Sequence, residues 1–105
     1  MMSPEAAARH LAHENRALPK DMVIEYLADA CPHVLTLTKH VGEWLWIMFQ
    51  SKPDAQTRAT LKELGFRFSK RRAAWMHPCG HFVNRHARNY DPRDKYGVED
   101  VDADR

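Results

Sequence analysis

Two cysteines in 105 residues, Cys31 and Cys79, are too few for the disulfide framework with which small extracellular domains make up for a thin core. Reduced thiols are the expectation. No apolar run approaches the roughly 18 residues of a membrane-spanning helix, and the opening MMSPEAAARHLAHEN has no apolar centre of the kind a secretory leader carries. A cytoplasmic protein with no membrane association is therefore expected. Glycine is scarce: Gly42, Gly65, Gly80 and Gly97 stand alone, so there is no glycine-rich phosphate loop. Internal repeats and low-complexity segments are also missing, and the length is that of one domain.

What is present is a polarised charge distribution. The formal net charge is only +2, but from Arg58 to Lys95 ten lysines and arginines face three acids, Glu63, Asp91 and Asp94. Residues 98–105 then carry four acids and one arginine. Such asymmetry suggests a basic contact surface with an acidic end able to fold over it or to repel wrong partners.

Local signals set out the elements in turn. Ser3-Pro4-Glu5 offers a hydroxyl cap, a first-turn proline and an acid at the positive helix end, and Ala6, Ala7, Ala8 and Leu11 carry that helix to about Asn15. Pro19 restarts the chain, and Val23, Ile24, Leu27 and Ala28 recur at helical spacing up to Pro32. His33 to Thr38, HVLTLT, alternates and is rich in branched residues, which predicts a strand, with Lys39 to Gly42 as the following turn. In the next strand Trp44, Trp46 and Met48 point one way and Leu45, Ile47 and Phe49 the other. Two apolar faces predict a central position. Ser51-Lys52-Pro53-Asp54 opens a third helix with Thr57, Thr60, Leu61 and Leu64 inside and Arg58, Lys62 and Glu63 outside, and Gly65 stops it.

Phe66-Arg67-Phe68 reads as a short strand, Ser69 to Arg72 as a charged turn, and Ala73 to Met76 as the returning strand. The fold class is thus α+β: two N-terminal helices on a small, antiparallel-rich β-β-α-β-β sheet unit. One domain is expected over 1–97, with a helical cover at 1–31, the sheet unit at 33–77 and a basic extension at 78–97. An acidic, disordered tail is expected at 98–105.

The charged turn carries the most chemistry. Lys70, Arg71 and Arg72 lie between Phe68 and Trp75, with Arg67 just before them. Clustered cations neutralise phosphates, and aromatic faces add base stacking on single strands. Arg85, Arg88, Arg93 and Lys95 extend the basic set. A solvated hairpin with both rings in the core, or contact with an acidic protein, accounts for the same residues. A second constellation, His77-Pro78-Cys79-Gly80-His81 with Cys31, has the donor chemistry of a zinc site but matches no metal-ligand spacing. No nucleophile, base and orienting acid stand together as a catalytic set, so neither an enzyme nor a cofactor is expected.

The segment from Trp44 to His77 resembles small tryptophan-bracketed β-α-β-β modules of phage, plasmid and conjugative-element proteins. The matching residues are Trp44, Trp46, Leu61-Lys62-Glu63-Leu64-Gly65-Phe66, Phe68, Lys70-Arg71-Arg72 and Ala74-Trp75. Similar modules accompany conjugative primase-like and J-domain-like proteins. Asp91 to Gly97 also looks like the basic R-x-K-Y-G endings of phage relatives. The resemblance covers about a third of the chain and implies, by context, the handling of mobile DNA.

The resulting expectation is a non-catalytic accessory protein of a mobile element. It would bind nucleic acid, or a nucleoprotein complex, through Arg67, Lys70, Arg71, Arg72, Trp75, Arg85 and Arg88. The alternative is a phage-encoded inhibitor of a host defence or replication enzyme, of anti-CRISPR or anti-restriction type. It would dock through Trp44 and Trp46 or through the acidic tail.

Overall fold

The computed structural model describes residues 3–82 and 91–101. The chain runs α1 (Pro4–Asn15), α2 (Lys20–Ala30), α3 (Pro32–Leu35), β1 (Thr38–Val41), β2 (Trp44–Ile47), α4 (Ala55–Leu64), β3 (Arg67–Ser69), β4 (Ala74–His77), α5 (Pro92–Tyr96) and β5 (Glu99–Asp100). The sheet order is β3-β4-β2-β1-β5, antiparallel at every pairing, which makes this an α+β fold. Among the described residues no helix is long and apolar enough to cross a membrane.

The predicted caps form. Ser3 accepts from the Ala6 N–H at the start of α1, and Asp54 accepts from the Thr57 N–H at 2.7 Å at the start of α4. Gly65 ends α4 in the left-handed region at φ +107. β2 lies at the centre of the sheet, and its two apolar faces feed two separate cores. On one face Leu45 and Ile47 meet Val23, Ile24 and Leu27 of α2, Leu61 and Leu64 of α4, and Phe66 and Trp75. On the other, Trp46 packs with Val41, Ala74 and Met76, flanked by Trp44 and Met48.

Two expectations are corrected. The strand placed at His33–Thr38 is instead a helical turn, α3, and pairing begins at Thr38. Pro32 at the first helical position presets that turn, and Val34 and Leu35, adjacent in sequence, are both buried, which alternation forbids. The Thr36 hydroxyl donates to the His33 carbonyl and the Thr38 hydroxyl to the Val34 carbonyl, closing the turn. Lys39 to Val41, read as turn, is therefore strand, and the reversal is confined to Gly42-Glu43.

The acidic end is the second correction. Glu99–Asp100 pairs with Lys39 and His40 of β1 as an edge strand, Lys39 forms an ion pair with Asp100, and Val101 is buried in the main core. A strand of two residues with charged side chains carries no periodic signal, and its pairing depends on a partner some sixty positions away. Residues 102–105 lie outside the described residues.

Candidate nucleic-acid interface

The hairpin between β3 and β4 does not present its cations as one group. Lys70 and Arg71 are exposed at its tip, whereas Arg72 is 7% exposed and lies over the Trp46 ring, 5.9 Å from its centroid. Arg93 approaches the same ring at 5.0 Å. It is held there by Asp91, with contacts of 3.1 Å from Nε to Oδ1 and 2.7 Å from Nη2 to Oδ2. That pairing draws the Asp91 carboxyl down to about 2 and raises Arg93 further. Both guanidiniums thus close the second face of the sheet through cation–π contact, and the expected role of Arg72 at a phosphate is corrected to packing. Arg85 and Arg88 lie outside the described residues.

Trp75, expected at the contact surface, is 5% exposed and belongs to the main core. Trp46 is 1% exposed, and half-buried Trp44 donates its indole N–H to the His81 carbonyl at 2.6 Å. The protein interface expected at this tryptophan pair is therefore not displayed by Trp46, which serves a core instead. The sheet ring that faces solvent beside this hairpin is Phe68, on edge strand β3 opposite Trp75, 52% exposed with the two ring centroids 5.6 Å apart.

Phe68 stands between two open grooves. One runs to the outer face of α4 and the loop before it, past Lys52, Pro53, Arg58 and Lys62. The other runs to α1, past Arg9, His13 and Arg16, and shares Lys62 with the first. Their volumes, about 590 and 490 Å³, fall in the range of sites that hold a small ligand. Neither groove is lined by an aspartate or glutamate. Among the described residues, Arg9, Lys52, Arg58, Lys62 and Arg67 enter no ion pair. The cations also crowd one another: Arg16 is pulled down to about 10, first by burial and then by the nearby Arg67. It stays charged at neutral pH, anchored by a 2.8 Å bond from Nη1 to the Gly65 carbonyl.

The same region is tied together beneath the surface. After the Gly65 and Phe66 N–H groups close the Lys62 and Leu61 carbonyls, the next three carbonyls at the end of α4 are taken by groups from elsewhere: Glu63 O by the Asn15 side-chain amide, Leu64 O by His77 Nε2 and Gly65 O by Arg16. His77 Nε2 also reaches Asn15 O at 2.9 Å, and its Nδ1 accepts from the Cys79 N–H. The tautomer follows from these partners: the proton sits on Nε2. One imidazole thus joins α1, α4 and β4, the elements that carry both grooves.

Both ring nitrogens of His77 are used in this way, so it has none left for a metal. Cys31 and Cys79 are buried free thiols, with Cys79 pushed up to about 11 by burial, and His81 is exposed and faces Glu43. Among the described residues no three His, Cys, Asp or Glu side chains are placed to hold a metal ion.

The helical cations of this surface were legible in outline only. Arg9 and Arg16 are seven apart on one helix and Arg58 and Lys62 four apart on another, so each pair shares a face. Nothing local says that the two faces converge on one aromatic ring. No family model matches the chain, and no curated protein or solved structure matches it.

Proposed function

We propose that this chain is a non-catalytic accessory protein that binds nucleic acid, alone or in a nucleoprotein complex, through the two cationic grooves beside Phe68. The observation that supports the reading is a surface with lysine and arginine from α1, α4 and β3 around one exposed ring and no carboxylate lining it. A solvated protein face ordinarily intersperses both signs of charge. Cations that line a groove with no acid among them, the nearby Asp54 acting on Arg58 from outside it, suit a polyanion whose bound counterions are released on contact. The mobile-element setting rests on the resemblance of Trp44 to His77 to phage and plasmid modules.

The test is a binding titration at two salt concentrations. Combined Arg58→Ala, Lys62→Ala and Arg67→Ala substitution should weaken binding of an oligonucleotide at low salt. It should also lower the slope of log affinity on log salt by about two, at roughly 0.7–0.9 for each phosphate that is no longer neutralised. Lys70→Ala with Arg71→Ala, at the hairpin tip, should change affinity less. A groove variant that stays folded and keeps the wild-type affinity and slope rejects the reading.

A further inference from the structure

Backbone neutralisation accounts for the cations but not for Phe68. An apolar ring 52% exposed on an edge strand is set against the buried Trp75, tilted by 54° and only 5.6 Å away. The inner ring braces the outer one, so a flat apolar face is held out at a fixed angle. Phe68 also lines both grooves, as does Lys62, so a chain passing from one groove into the other crosses that face.

Building on the function proposed above, we infer that the ligand is a single strand and that one of its bases stacks on Phe68. Its phosphates then rest on Arg58 and Lys62 on one side and on the exposed Arg9 and Arg67 on the other. In a duplex the faces of each base are covered by its neighbours, and the ring has nothing to stack on. In a single strand the base face is free, and covering it with Phe68 removes apolar surface of both from water. Every base has such a face, so the contact tolerates any sequence. The geometry uses phosphate and base plane, which DNA and RNA share, so both are tested.

The experiment measures binding of fluorescent oligothymidylate and oligouridylate of about 12 nucleotides, within the roughly 4–16 that such surfaces cover, and of a DNA duplex of the same length. Phe68→Ala should weaken the tighter-binding single strand about tenfold or more and leave both the duplex affinity and the salt slope unchanged. Phe68→Trp should restore single-strand affinity, and the introduced indole should be quenched on binding. If Phe68→Ala binds the single strand as wild type does while Arg58→Ala with Lys62→Ala loses affinity, stacking is wrong and the backbone reading stands. If wild type binds no oligonucleotide at low salt, both readings fall.

Discussion

Gly65→Ala lowers the melting temperature by about 15–30 °C, the equivalent of roughly 3–5 kcal/mol in a domain of this size. Two costs combine. At φ +107 the backbone is one that a side chain rarely adopts, which costs about 1–2 kcal/mol by itself. An added Cβ would also lie 2.9 Å from the Arg16 amide nitrogen and 2.9 Å from His77 Nε2. Neither neighbour is the free end of a flexible chain: one is backbone, and the other is bonded to two carbonyls. Making room means opening the join between α1, α4 and β4. Gly97→Ala is the control. Its φ of +76 and ψ of 179 lie in a region that is essentially glycine's alone, but nothing lies within 4 Å of the added carbon, so it carries backbone strain without a clash, about 1–3 kcal/mol. Gly65→Ala should melt below Gly97→Ala because it adds the contacts at 2.9 Å to its strain, and equal melts would remove the contact argument.

The second large effect is acid destabilisation through His77. Burial is the main cause of its depressed pKa, about 4 against the ordinary value of 6.5, with Arg16 adding repulsion and the bonds to Asn15 and Leu64 opposing. The sign follows from proton counting. Above pH 6.5 the imidazole is neutral whether the chain is folded or not, and its contribution is complete. As pH falls below 6.5 the unfolded chain takes up a proton that the folded one refuses, and stability declines until the folded pKa near 4 is reached. The loss over that window is about 3 kcal/mol. Urea unfolding of wild type and His77→Gln at about pH 7 and about pH 4.5 isolates it, because every other group is common to both proteins. The variant is expected to be less stable at neutral pH and to lose less on acidification. Parallel losses in the two proteins would contradict this account of the buried imidazole.

Much of the fold was readable where the deciding physics is local. The Ser3 and Asp54 caps, the Gly65 stop and the two apolar faces of β2 each depend on residues within a few positions of one another, and each forms as expected. The failures come mostly from contacts between distant residues, and in one case from two local signals in conflict. HVLTLT alternates as a strand does, but Pro32 and the burial of consecutive Val34 and Leu35 win, and pairing starts five residues later. Arg72 reads as one of four equivalent cations, and only the fold places Trp46 beneath it. Phe68 and Trp75 read as matching rings, yet the edge position of β3 exposes one while the core takes the other. The basic surface moves accordingly, from the tip of the hairpin to its flank, where the helices α1 and α4 add charges that no hairpin motif includes.

That relocation is best tested by amide chemical-shift mapping with a short single-stranded oligonucleotide. The account predicts shifts concentrated from Lys62 to Phe68, at Gln50 to Lys52, around Arg58 and along Arg9 to Arg16, with little change in the β1–β2 turn or in α5. Shifts confined to Lys70 and Arg71, or to the Trp46 face of the sheet, or none at all at low salt, would contradict it.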